Sequence, residues 1–150
     1  MPLEGPSTGY LVWRLATKWR AAVDRAVAPL GLTHAQYSLL ASLYGFSRSG
    51  GQRPSQRELS DFTGLEPIYV SKLARALERS GLLTREVNPS DPRAVSLRLT
   101  RKGKDTVVRA VEVVHKLHAE LTAPIGGVDG ERNRALMKTL RDLLDPGAGK

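Results

Sequence analysis

Apolar residues recur at steps of three and four from Leu11 to Leu30, through Leu15, Trp19, Ala22, Val23, Ala26 and Val27. That period predicts an amphipathic helix over residues 10–30, and Gly31 ends it. Thr33 is placed to cap a second helix with Tyr37, Leu40, Leu43 and Tyr44 along its apolar side. SRSGGQRPS (47–55) has the composition of a loop. In SQRELSDFTG (55–64), Ser55 and Glu58 have the S-x-x-E spacing of a capping box, which satisfies two orphan amide donors. Leu59 and Phe62 are its expected inward pair, and Gly64 its stop. Glu66 then falls at an N-cap position and Pro67 at the first helical position, where a missing N–H costs nothing. Val70, Leu73 and Leu77 predict the buried stripe of this next helix, which ends at Gly81.

The period then drops to two. LLTREV (82–87) and AVSLRLT (94–100) are predicted strands, with Val95, Leu97 and Leu99 alternating with Ser96, Arg98 and Thr100. Between them Asn88 to Arg93 form a hairpin tip stiffened by Pro89 and Pro92. A long helix follows from Arg101 to about Ala123, where Pro124 breaks it, with Val107, Val111, Val114, Leu117 and Leu121 on its inner face. Asp129 is the expected cap of a last helix with Leu136, Leu140 and Leu143 inward. The predicted fold is mainly α with a small β-hairpin wing. Helix, tight turn, helix, strand, turn, strand is the order of a winged helix-turn-helix, here over about 33–100 of a single domain spanning 1–150.

Charge sharpens this picture. The chain carries a formal net charge of +8, which points to a polyanionic partner, nucleic acid before membrane. Residues 1–52 have a net of +3, residues 53–104 a net of +5, and residues 105–150 a net of zero. The positive field therefore centres on the winged segment. No apolar run reaches the length of a membrane span and no signal-peptide pattern opens the chain, so a cytoplasmic protein is expected, with no membrane association. The absence of cysteine excludes disulfides, thiolate metal sites and thiol redox sensing. Nothing resembles a catalytic triad, a phosphate-cradling glycine loop or a carboxylate pair; neither enzymatic activity nor a cofactor is expected.

With Val70, Leu73 and Leu77 buried, the helix after Glu66 leaves Ile68, Tyr69, Ser71, Lys72, Arg75 and Arg79 on or near its open face. Such a helix fits a major groove, where donors are rewarded at base edges. Arg93, held out by the stiff turn and oriented by Asp91, suits a narrow, electronegative minor groove. A surface Asp–Arg pair in a loop is the plainer alternative.

The stretch SQRELSDFTGLEPIYVSKLARALERSGLLTREVNPSDPRAVSLRLTRKG resembles the MarR (multiple antibiotic resistance regulator) family. The likeness rests on the V-S-K-L-x-x-x-L-E-x-x-G-L recognition helix, the D-x-R of the wing at Asp91 and Arg93, and the L-T-x-K-G that opens the next helix. LTHAQYSLL (32–40) also looks like the family's second helix. The resemblance implies a transcriptional regulator, a repressor by preference, that binds double-stranded DNA at a pseudo-palindromic operator. It implies a homodimer built from helices at about 10–30 and 101–144. Ser55 and Gln56 would meet phosphate, Pro67, Ile68, Tyr69, Ser71, Lys72 and Arg75 would line the major groove, and Arg93 the minor groove. Many members have a small Thr or Ser where Tyr69 stands, and polar residues where Pro67 and Ile68 stand, so the operator does not transfer from relatives.

Many relatives release DNA when a small aromatic or anionic ligand enters a cleft between the dimer helices and the winged domain. By that resemblance Tyr10, Trp13, Arg14, His34 and Tyr37 are candidate effector-binding residues, with dimer-core aromatics as the alternative. Glu112, His115 and His118 step by three along one helix, but consecutive threes drift around it, and no metal site is expected there. Two rivals stand beside the ligand-gated regulator: a winged-helix module that binds protein and never DNA, and a constitutive DNA-binding factor with no effector. The net +5 of residues 53–104 argues against the first.

Overall fold

The structure, a computed structural model, describes residues 5–50 and 53–147, with the side chains of Asn88, Pro92 and Arg93 also outside the description. Two compact units divide the chain, residues 1–113 and 114–150.

The first unit begins with α1 (Thr8–Val27), where the Ser7 hydroxyl accepts from Tyr10 N–H at 3.1 Å. A 3-10 turn (Ala28–Leu30) completes the predicted stripe, and Gly31 closes it in the left-handed region at φ 77°. Only the C-terminal half of α1 is buried, through Ala22, Val23 and Val27. Leu11, Val12 and Leu15 lie exposed. α2 (His34–Arg48) starts with a full capping box between Thr33 and Gln36. It runs two residues into the segment expected to be loop. α3 (Gln56–Thr63) and α4 (Pro67–Arg79) follow. Leu39, Leu40, Leu43, Leu59, Val70, Leu77, Leu83 and Leu97 are almost completely buried, and α2 packs on α1, α3, α4 and the hairpin.

Phe62 is a correction. It does not point inward: 68% of it is exposed, and it meets Phe46 edge to face at 5.4 Å between ring centroids. Ser60 takes the inner position, because its hydroxyl donates to the Leu65 carbonyl at 2.5 Å and so ties the inter-helix turn. A buried hydroxyl needs such a partner.

The hairpin pairs β1 (Leu83–Asn88) with β2 (Asp91–Leu99), antiparallel. The turn is shorter than expected, only Pro89 and Ser90. Asp91, Pro92 and Arg93 belong to β2 rather than to a tip. Register runs from Leu83 opposite Leu99 to Val87 opposite Val95, then jumps to Asn88 opposite Asp91. Residues 92–94 are thus the extra residues of a bulge, which bends a strand and re-aims side chains.

The hairpin is closed at its base by α5 (Arg101–Thr122). Thr100 N–H donates to Leu82 O at 3.1 Å, its hydroxyl donates to Gly81 O at 2.6 Å, and Gly103 N–H donates to that hydroxyl at 3.0 Å. Lys102 Nζ donates to Ser80 O at 3.0 Å. A Cβ on Gly103 would lie 1.8 Å from the Leu82 carbonyl oxygen. The Thr-x-Lys-Gly run is therefore a junction in which each residue but one has a defined partner.

In the second unit α5 ends in a 3-10 turn (Ala123–Ile125) and α6 covers Glu131–Leu144. Asp129 does not cap α6. Gly130 occupies the N-cap position without a side-chain bond, and a Cβ there would sit 2.8 Å from Gly126 O. Buried Asn133 secures the turn instead, its Nδ2 donating to Val128 O at 2.8 Å. Leu140 and Leu143, expected inward, are exposed.

Candidate nucleic-acid interface

α4 carries the centre of the site. Glu66 has extended backbone at its N-cap and Pro67 stands at the first helical position. Val70, Leu73, Ala74 and Leu77 are its buried residues. At about 100° per residue, Ile68, Lys72, Arg75 and Arg79 fall within an arc of about 60° on the opposite side. All four are exposed, and Ile68 is 75% exposed. Pro67 and Tyr69 flank Ile68, both exposed, and Ser71 is half-buried on the shoulder. The only acid in the helix, Glu78, is turned to the hairpin, where Oε2 accepts from Arg85 N–H at 3.1 Å. The outer face is thus cationic along its length and apolar at its first turn.

α3 positions α4. Ser55 Oγ accepts from Glu58 N–H at 3.1 Å, and Glu58 Oε1 accepts from Ser55 N–H at 3.3 Å, the reciprocal box read from the sequence. Gly64 has φ 75°, a conformation that favours glycine. Thr63 Oγ1 donates to Leu59 O at 2.7 Å and accepts from Leu65 N–H at 3.2 Å. Together with Ser60, these bonds fix the angle at which α4 leaves α3.

Gln56 is not simply turned to solvent. Its Oε1 accepts from Arg85 Nε at 3.4 Å. Sequence reading missed Arg85 and Ser60. Arg85 shares strand parity with buried Leu83, which was the available signal. Ser60 stands four residues before the turn glycine, a spacing that lets one hydroxyl span the turn.

The hairpin is tied to this motif. Leu97 N–H donates to Pro54 O at 3.0 Å and a further bridge joins Ser55 to Ser96. Arg53 forms an ion pair with Glu86. Ser55, Gln56, Ser71, Lys72 and Arg75 are thereby brought into one scaffold with the wing. Asp91 is exposed on β2. The side chain of Arg93, and with it the expected Asp91–Arg93 pairing, lies outside the described residues.

The five candidate effector residues form two groups. Arg14 Nη1 donates to Tyr10 OH at 2.8 Å, with its guanidinium 5.7 Å from the centre of that ring. Trp13 beside them is 69% exposed. His34 N–H donates to Asp24 Oδ1 at 2.6 Å, far down α1. The rise of a helix separates Tyr10 from Asp24 by about 21 Å, so one chain does not gather all five. Burial, then the positive charge of Arg20, lowers the pKa of His34, against the opposing pull of Asp24. Burial raises that of Tyr37. Among the described residues no three His, Asp or Glu side chains group as a metal site, and no helix is long and apolar enough to cross a membrane.

The profile of the MarR family matches residues 32–95. An HTH-type transcriptional regulator of Bacillus subtilis (strain 168), YdcH, is 36% identical over 116 residues, covering 76% of this chain and 78% of that protein. The Mycobacterium tuberculosis (M. tuberculosis) regulator MosR in complex with DNA is 29% identical, with a TM-score of 0.73 over 95% of this chain and 98% of its own. The transcriptional repressor CouR bound to a 23-mer DNA duplex is 31% identical, with a TM-score of 0.77 over 92% of each chain. CouR from Rhodococcus jostii RHA1 is also known bound to p-coumaroyl-CoA, at 27% identity and a TM-score of 0.72 over 91% of this chain and 88% of that one. With the winged fold, the cationic outer face of α4 and relatives solved on DNA all in agreement, the chain belongs to the MarR family of DNA-binding transcriptional regulators.

Proposed function

We propose that the protein acts as a homodimeric repressor in the cytoplasm, reading a pseudo-palindromic operator and released from it by a small aromatic or anionic ligand. The observation that carries the proposal is the outer stripe of α4, with Lys72, Arg75 and Arg79 in line and the helix's one acid turned away. In this reading α4 enters the major groove with Pro67, Ile68, Tyr69, Ser71, Lys72 and Arg75. Ser55 and Gln56 meet phosphate at the start of α3. Arg93, oriented by Asp91, enters the adjacent minor groove. Residues 1–150 serve as one functional domain, with a reading head at about 33–100 and dimerisation helices at about 10–30 and 101–144.

The dimer is supported by apolar side chains left uncovered in a single chain. They are Tyr10, Leu11, Val12, Trp13 and Leu15 on α1, and Leu140, Leu143 and Leu144 on α6. Contiguous patches of this kind mark interaction surfaces. A two-fold dimer would set its recognition helices one DNA turn apart, about 34 Å. The p-coumaroyl-CoA complex of CouR supports a ligand-released repressor over a constitutive factor. Tyr10, Trp13, Arg14, His34 and Tyr37 are the proposed effector residues, drawn from two protomers because one chain holds them apart.

Selection from a random duplex library tests the assignment, with mass measured in solution at micromolar protein. The expected result is a dimeric mass and a palindromic consensus. Binding should weaken ~10³–10⁵-fold between 50 and 200 mM salt, for roughly 6–10 neutralised phosphates. A monomer that binds the operator fully would refute the dimer. Failure to bind any duplex at low salt would leave a protein-binding module.

A further inference from the structure

We propose that Ile68 reads the 5-methyl group of a thymine, so that each half-site carries a T·A pair under the first turn of α4. This rests on the reading of α4 as the recognition helix and specifies one base that it selects.

Three observations lead there. First, Ile68 is 75% exposed, yet it lies opposite the buried stripe of Val70, Leu73 and Leu77, at the crest of the outward face. Second, it continues the line of Lys72 and Arg75, about 6 Å and 10 Å further along the axis. An apolar side chain at the head of a cationic stripe is not a solvated flank. Third, it occupies the first turn, the part of a recognition helix that reaches base edges.

Chemistry then selects the base. A branched aliphatic side chain neither donates nor accepts a hydrogen bond. Pressed against N or O atoms of a base edge, it removes their water and returns nothing, which costs free energy. Among the four unmodified bases, the apolar feature of the major groove is the thymine 5-methyl. Burying one methyl group against Ile68 corresponds to about a 4-fold gain in affinity for each half-site, and about 15-fold for two.

Deoxyuridine tests this directly, because it removes that methyl and leaves the pairing edge intact. The operator selected by the wild-type chain would be remade with each thymine replaced singly, and in symmetric pairs, by deoxyuridine. One thymine per half-site should be sensitive, with a loss of about 4-fold singly and about 15-fold as a pair. Ile68→Ser, present in both protomers of the proposed dimer, should bind the thymine operator with the paired loss of about 15-fold and show no further loss on deoxyuridine. Lys72→Ala should keep the sensitivity. Ile68→Ser should also keep the wild-type mass and melting temperature, since the side chain is exposed. An operator indifferent to deoxyuridine, a sensitivity that survives Ile68→Ser, or a changed mass would each overturn the proposal while α4 remained the reading helix. Selection of no consensus at all would instead remove the assignment of α4 itself.

Discussion

Gly103→Ala sets two opposed effects against each other. Gly103 lies in the first turn of α5, and replacing a helical glycine by alanine ordinarily gains about 1 kcal/mol. Here the new Cβ would stand 1.8 Å from Leu82 O and 2.8 Å from its carbonyl carbon, so about 1.5 Å of separation is missing for ordinary contact. The obstacle is backbone. Leu82 N–H is bonded to Leu77 O at 2.9 Å and Leu82 O accepts from Thr100 N–H at 3.1 Å. The start of α5 must therefore move, straining the Thr100 and Lys102 bonds to Gly81 O and Ser80 O. Overpacking of this kind costs about 1–3 kcal/mol and each weakened bond about 1 kcal/mol. After the propensity gain, the expected net loss is about 2–4 kcal/mol, or roughly 4–16 °C in Tm for a chain of this size. Gly45→Ala is the control: Gly45 lies inside α2 with nothing within 4 Å of the added Cβ, so it should gain about 0.5–1 kcal/mol. Urea unfolding of the three proteins at one concentration reads both signs. A Gly103→Ala protein as stable as wild type, beside a stabilised Gly45→Ala protein, would show that the junction yields without cost.

Lys72→Ala and Arg75→Ala should each cost ~1–3 kcal/mol of operator affinity and relax preference at one base position; fluorescence anisotropy showing unchanged affinity and preference would remove α4 from the interface. Arg93→Ala should weaken operators with A/T flanks more than those with G/C flanks, because a narrow minor groove holds a guanidinium more strongly. Asp91→Ala should do so more mildly, and equal losses on both flanks would make Arg93 an ordinary surface residue. His34 has its pKa lowered from 6.5 by burial and then by Arg20, and His118 by burial and then by His115. In the window below 6.5 the unfolded chain binds these protons more readily, so stability falls as pH drops through it. His34→Gln and His118→Gln should each flatten that fall in urea unfolding compared at pH 7.5 and 5.5, and unflattened profiles would contradict the assignment.

Local punctuation was legible. The Ser55–Glu58 box, the glycine stops at Gly31, Gly64 and Gly81, and Pro67 at a helix start each follow from chemistry within a few residues. So did the buried stripe of α4 and therefore its outer face. What escaped depended on neighbours distant in sequence. In the eight-residue α3, period alone does not decide between Ser60 and Phe62 for the inner position. The Leu65 carbonyl decides it. The Pro-rich stretch after Asn88 reads as a rigid tip, whereas cross-strand register makes residues 92–94 a bulge. Gln56, by the resemblance a phosphate contact, also accepts from Arg85, which only the pairing of β1 brings against it. Leu140 and Leu143 read as core because the period marks an apolar face without naming what covers it.

The bonds from Leu97 to Pro54 and from Arg85 to Gln56, with the Arg53–Glu86 pair, make the hairpin and the α3–α4 pair two jaws of one caliper. Its gap is set when the chain folds, so little freedom at the hairpin's root is left to be lost on meeting DNA. A caliper of fixed gap also measures. If α4 reads bases as proposed, the offset between them and the tract beneath the hairpin becomes a ruler length, and an operator with one base pair inserted between them would be mis-sized rather than merely altered in sequence. In the proposed dimer, a ligand that dislodges such a tool would have to shift both jaws at once, by changing how two calipers are spaced rather than by bending one arm.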